Sequence, residues 1–177
     1  FGLGARTGID LEGESSGLLP SRDWKQRRWK QPWYPGETVI AGIGQGYHLT
    51  TPLQLAVMTA MLANGGKQVE PRLVDAVRDS HDRDWQPLPG RTRGQLAIAP
   101  AHLEVVRAGM LDVMSPGGTA ARSAAGAPYT IAGKTGTAQV VGIRQGARYD
   151  ASKLALKHRD HALFIAYAPA DNPTIAV

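Results

Sequence analysis

Between Ala132 and Gln139 a short stretch, Ala-Gly-Lys-Thr-Gly-Thr-Ala-Gln, carries an ammonium, two hydroxyls and two glycines. Such a set suits an anion. The lysine supplies charge, the threonines supply hydroxyl donors, and the glycines let another backbone come close. The plainer structural account is a glycine-weakened edge strand with exposed polar side chains. Thr135 and Thr137 lie two apart, so strand alternation puts both hydroxyls on one face and Lys134 on the other.

Two nucleotide motifs compete for the glycines, and both fail. Gly133-Lys134-Thr135 matches the end of a phosphate-binding loop, but the first glycine of that motif would fall on Pro128. The loop also needs a helix to start at the lysine, whereas Thr137-Ala138-Gln139-Val140-Val141 continues as strand-forming sequence. Gly42-Ile43-Gly44-Gln45-Gly46 misses a dinucleotide fingerprint because its third glycine comes one residue early. His158 and His161 sit three apart around Asp160, but no third ligand accompanies them, so they read as surface histidines and no metal or cofactor is expected. Arg22, Lys25, Arg27, Arg28 and Lys30 interleave with Trp24, Trp29, Trp33 and Tyr34, a mixture that also suits nucleic acid or a glycan strand.

The elements that must position the 132–139 stretch can be read from periodicity and punctuation. Phe1 to Gly46 is rich in Gly, Pro and Trp and reads as long ordered loops with short elements. Thr50-Thr51-Pro52 offers a cap and a first-turn proline for a helix over Leu53–Ala63, stopped by Asn64-Gly65-Gly66. Apart from Gln54 and Thr59 that helix is apolar all round, so it should be buried on most sides. Val69 to Val77 reads as extended, and Arg78 to Gly94 as a polar surface excursion. Pro100 opens a second helix whose Leu103, Val106, Met110 and Val113 form a core stripe. Met58, Met61, Met110 and Met114 read as core. Thr119 is placed to cap a short helix through Ser123. Strands are expected at Tyr129–Val141, Ala162–Ala168 and Thr174–Val177, the last two joined by a tight turn through Pro169 and Pro173. Asp150 is placed to cap a helix in the basic stretch before the second strand.

The 177 residues, 42% of them hydrophobic, suffice for a real core, and no run of about 18 apolar residues occurs. A net charge of +5 favours anionic surroundings, and the absence of cysteine rules out disulfides and thiolate metal sites in this segment. Both ends read as cuts through a longer chain.

Lys134-Thr135-Gly136-Thr137-Ala138-Gln139 is similar to the third active-site motif of penicillin-binding proteins and serine β-lactamases. Thr7-Gly8-Ile9-Asp10-Leu11 with Gly17 and Pro20, Gly44-Gln45-Gly46, and Gly118-Thr119-Ala120 resemble landmarks of that family in the family's order. Trp24-Lys25, Pro32-Trp33-Tyr34 and Arg159-Asp160-His161 resemble the elongation-specific, monofunctional penicillin-binding protein 2 subgroup. The resemblance covers nearly the whole chain and implies an α/β (α+β) fold of the penicillin-recognising type, an antiparallel sheet covered by helices. It implies that residues 1–177 are the C-terminal part of a peptidoglycan D,D-transpeptidase domain anchored in the inner membrane and facing the periplasm. Its partners would be stem peptides, glycan strands, β-lactams, a membrane glycosyltransferase and other elongation proteins, with no nucleic acid.

The resemblance gives Lys134 the task of holding the substrate carboxylate and polarising the site. It makes Thr135, Thr137 and Gln139 substrate contacts, leaves room at Gly136, and assigns the Thr137 backbone N–H as an oxyanion donor. Many members have Ser where this chain has Thr135, which keeps the hydroxyl. The family's Ser-x-x-Lys and Ser-x-Asn motifs are absent from these residues, so nucleophile and base must come from upstream. A serine β-lactamase or a penicillin sensor is the alternative within the fold.

Overall fold

The computed structural model describes residues 1–81, 84–142 and 148–177. In chain order the described elements are α1 Arg22–Trp29, α2 Pro35–Gly42, α3 Pro52–Ala63, β1 Lys67–Val69, β2 Ala76–Val77, β3 Gln86–Pro87, β4 Thr92–Gln95, α4 Pro100–Met114, α5 Ala121–Ala124, β5 Ala132–Ala138, β6 His161–Ala168 and β7 Ile175–Ala176. β5, β6 and β7 form one antiparallel sheet in that order. α4 packs against β5, and α3 against β6 and β7, which gives the expected antiparallel sheet covered by helices.

The local chemistry of α3 explains its place. Thr51 Oγ1 accepts from Gln54 N at 3.1 Å, and Gln54 Oε1 accepts from Thr51 N at 3.0 Å, closing a capping box. Pro52 fills the first helical position, where no N–H is needed. Gln54 Nε2 then donates to Ala5 O at 2.7 Å and Ser16 O at 2.8 Å, so a side chain only 2% exposed keeps every polar atom paired. Thr59, fully buried, donates to Leu55 O at 2.7 Å. From Leu53 to Ala63 every residue is buried or half-buried, as the all-round apolar pattern requires.

On α4 the expected stripe is shifted. Leu103 and Met110 are buried and Met114 takes the next place, while Val106 stays 46% exposed. Arg107 holds the intervening position. Its stem lies along the core, and its guanidinium donates to Ala63 O at the end of α3 and to Glu104 Oε1. Leu62, Ala63, Leu103, Met110, Ala132 and Tyr167 form the core cluster where both helices meet the sheet. Burial pushes the Tyr167 phenol above its ordinary pKa, with the Arg107 charge opposing.

Other expectations are corrected by the fold. The polar excursion contains β3 and most of β4, which pair with β2 and β1. Every residue of β4 is exposed, so no alternation marks it as a strand. Asp150 does cap, accepting from Ser152 N at 3.0 Å. The capped segment is not a continuous helix but two 3-10 turns, Ala151–Lys153 and Leu156–His158, because no apolar stripe supports a longer one. Residues 143–147 of that basic stretch lie outside the described residues. His158 closes the second turn and His161 opens β6, so the two share no helix face.

Before α3, carboxylates tie the loops down. Asp10 accepts from Leu73 N at 2.6 Å and Val74 N at 3.0 Å, and Glu14 accepts from Thr7 N and Thr7 Oγ1, both at 2.6 Å. These bonds hold both carboxyls below their ordinary pKa, for Asp10 chiefly through the Leu73 N–H and for Glu14 chiefly through the Thr7 hydroxyl. A carboxyl whose folded pKa is lowered adds stability above its unfolded value and loses it as pH falls through the folded one. The melting temperature of the full-length protein should therefore fall below about pH 4, and Asp10→Asn should flatten that dependence. Gln54→Ala, which strands the Ala5 and Ser16 carbonyls, should cost about 3 kcal/mol in urea unfolding.

Candidate active site on the open edge of a sheet

β5 pairs with β6 on one side and, among the described residues, has no strand on the other. In an antiparallel strand the N–H and C=O of one residue point the same way, and successive residues alternate. Thr137 O accepts from Gln45 Nε2 at 2.7 Å, a group outside the sheet. The Thr137 carbonyl therefore faces the open edge, and its N–H must face the same way. Thr135 lies in phase with it, and its carbonyl accepts from Lys134 Nζ at 2.5 Å. The free edge thus presents the backbone of Thr135 and Thr137, with the lysine ammonium laid along it.

The side chains keep the expected alternation. A Cβ built on Gly133 would come within 3.1 Å of Met114 Sδ on α4 and 2.8 Å of Phe164 Cζ. Thr135 and Thr137 share that face with Gly133. Lys134 leaves on the other face, exposed, and its flexible stem brings the ammonium back to the edge. Among the described residues no carboxylate pairs with it, so its charge is free for a ligand.

The two glycines differ in why they are small. At Gly133 the neighbours are the chain's own core. At Gly136 an added Cβ would meet only Leu163 Cβ, at an ordinary 3.7 Å. The protein's interior does not demand a glycine there. Gln139 lies just beyond the end of β5, exposed.

Two residues join this edge to which the sequence motifs assign no role in it. Thr119 is placed by its sequence to cap α5, but Ala120 holds that position without a side-chain bond. The Thr119 hydroxyl instead lies 3.3 Å from Thr135 Oγ1. Gln45 stands in the sequence only as part of a glycine-flanked landmark. Its position between Gly44 and Gly46 and that of Thr119 after Gly117-Gly118 are the available signals, since polar side chains on such loops are placed by backbone turns.

Of the basic-aromatic stretch, Lys25 and Trp24 are spent internally, while Arg22, Arg27, Arg28 and Lys30 stay exposed. Lys25 is 1% exposed, pairs with Glu37 Oε1 at 2.5 Å and sits 4.1 Å from the Tyr34 ring centre, while Trp24 packs on Tyr47 at 5.1 Å. A lysine buried against its own glutamate offers nothing to a phosphate. Among the described residues no group of three or more His, Asp or Glu gathers to hold a metal ion.

The edge thus combines a free strand backbone, a lysine with no carboxylate partner among the described residues and paired threonine hydroxyls. The model of the penicillin binding protein transpeptidase domain matches residues 1–177. The chain belongs to that family. It is 43% identical over 179 residues to the peptidoglycan D,D-transpeptidase MrdA of Escherichia coli, covering 100% of this chain and 28% of that protein. Among solved structures, Pseudomonas aeruginosa PBP2 in complex with WCK 5153 superposes with a TM-score of 0.76 at 43% identity, covering 99% of this chain and 35% of the other. PBP2 of Helicobacter pylori in complex with MreC gives 0.76 at 33% identity, covering 99% and 29%. The chain therefore spans less than a third of the length of its E. coli relative, and the transpeptidase fold read from its sequence is confirmed.

The contrast between the glycines is measurable. Gly133→Ala in the full-length protein should lower its stability by about 1–3 kcal/mol in denaturant unfolding, through overpacking against Phe164 and Met114. Gly136→Ala should leave stability within about 0.5 kcal/mol, because a methyl there meets only Leu163 Cβ at an ordinary distance, and slower penicillin capture by the same variant is the outcome expected if a ligand passes the strand at that point.

Proposed function

We propose that the chain forms one wall of the active site of a peptidoglycan D,D-transpeptidase, the nucleophile and base being supplied from outside these residues. The observation that carries this reading is the outward-facing Thr137 backbone beside Lys134, whose ammonium has no carboxylate partner among the described residues, in a chain of the transpeptidase family. An extended stem peptide laid along β5 finds what a D-Ala-D-Ala end requires. Lys134 and the hydroxyls of Thr135 and Thr137 hold the terminal carboxylate, and Gly136 lets the peptide backbone approach. Gln139, beyond the strand end, extends the contact.

In the reaction a serine oxygen attacks the penultimate D-alanine carbonyl, and its proton passes to the base. The carbonyl oxygen gains negative charge next to the Thr137 N–H, which acts as one donor of the oxyanion hole. D-alanine leaves with a proton on its amine, and the acyl-serine bond forms. The amine of a neighbouring stem peptide then displaces the serine, completing the cross-link and restoring the enzyme. Lys134 stabilises charge at both steps as a fixed cation and supplies no bonding electrons. A β-lactam enters by the same attack, its ring amide standing in for the peptide bond.

Elongation of the cell wall, an inner-membrane anchor and a periplasmic catalytic domain belong to the same reading, supported by the likeness to MrdA. The H. pylori relative was solved with MreC, and an elongation partner of that kind is proposed here too. No described helix is long and apolar enough to cross a membrane.

The test is capture of labelled penicillin by the full-length protein. Wild type should form a lasting acyl-enzyme. Thr137→Pro, which deletes the N–H together with the side-chain hydroxyl, should slow capture by at least about 10² to 10³. Equal labelling of the two proteins refutes the assignment, and rapid loss of label from wild type points to a β-lactamase.

A further inference from the structure

Gln45 has no bond to make or break in this reaction, yet its carboxamide reaches the residue on which the reaction depends. Among the described residues its bond to Thr137 O is the one hydrogen bond joining residues 1–49 to the β5–β6–β7 sheet. The side chain crosses 92 positions of sequence to make it.

The donor is braced from behind. Gln45 N donates to Ile40 O at 3.1 Å and Gly44 N to Ala41 O at 3.0 Å, folding the loop back onto the end of α2. Gly44 and Gly46 flank it with φ of 76° and 83°, in the left-handed region, and a Cβ on Gly46 would lie 2.9 Å from Ile40 Cγ2. The Lys25–Glu37 pair locks α2 to α1, and Tyr47 rests on Trp24. An otherwise mobile polar tip is thus delivered from a short helical pair held by its own ion pair.

We propose that Gln45 is a positioning residue that holds the Thr137 peptide group in register for the oxyanion. The inference rests on the reading of Thr137 above. The outer edge of β5 has no neighbouring strand among the described residues to fix it, and Gly136 next to Thr137 carries no side chain, so the strand end needs an external tether. The need is sharp, because an oxyanion donor must lie about 2.7–3.1 Å from the developing charge. A backbone carbonyl has two acceptor lone pairs, so Gln45 stays bonded while a substrate N–H shares the same oxygen. Loss of the tether misplaces the donor without deleting it, and the expected penalty is about tenfold, smaller than that of removing the donor.

The experiment separates binding from chemistry in penicillin acylation of the full-length protein. Gln45→Met keeps the length and loses the donor, and Gln45→Glu sets a carboxylate against the carbonyl. Both should lower the acylation rate constant by about tenfold, with the dissociation constant of the preceding complex within twofold and an unchanged melting temperature. A wild-type acylation rate in Gln45→Met overturns the inference alone. A faster rate overturns it too, since that shows the carboxamide competing with substrate for the carbonyl. A fall in melting temperature matching the loss of rate in both variants assigns Gln45 to the fold and not to positioning. Wild-type labelling of Thr137→Pro overturns the reading of Thr137 and this inference with it.

Discussion

A single neutral carboxamide organises the junction on which the site depends. Gln54 spends its oxygen on the cap of α3 and its nitrogen on the carbonyls of Ala5 and Ser16. The same residue therefore starts the central helix and fastens two loop segments over it. Buried polar groups are costly unless fully paired, so this geometry is all or nothing. With α3 fixed, its far end meets α4 through Arg107 and Ala63, and the two helices together set the sheet whose edge is the candidate site. The order of dependence runs from cap to helix, from helix to sheet, and from sheet to edge.

At that edge the chemistry is carried mostly by backbone and by one charge. Packing fixes the inner end of β5, where Ala132 and Gly133 are buried, while from Lys134 onward the residues are exposed or half-buried. The strand is thus anchored where it meets the core and presented where a ligand would lie. The hydroxyls of Thr119 and Thr135 meet across this opening from two different elements. A site assembled from a loop tip, a helix-end loop and a strand edge depends on three independent supports, each built from different local chemistry.

Much of this is legible in the sequence, for physical reasons that differ between elements. α3 is readable because cap, proline, apolar run and terminating glycines agree. The face of Thr135 and Thr137 is readable because alternation is a property of any strand. The edge status of β5 is not, since it depends on what fails to pair beside it. β4 is hidden because its exposed residues carry no pattern, and what holds it beside β1 is backbone pairing with side-chain bonds from Arg93 to Glu70 and Gln95 to Gly65, which no periodicity announces. Thr119 looks like a cap because hydroxyls before short helices usually are. Only the approach of β5 shows where its hydroxyl goes. Lys25 looks like surface because lysine almost always is, and its burial needs Glu37, twelve residues away, to be in place.

On the proposed reading, the Thr137 donor also limits how such a protein can change. A donor made of backbone is specified by every residue type except proline, so an ordinary substitution at the position itself leaves the N–H in place. Substitution there can remove the hydroxyl that holds the carboxylate but not the donor, so selection against the donor's contribution must act on neighbours that move the strand, such as Gly133 beneath and Gln45 beside it. Escape from such an inhibitor is a matter of aim rather than of composition, and altered positions would lie around the donor in a ring.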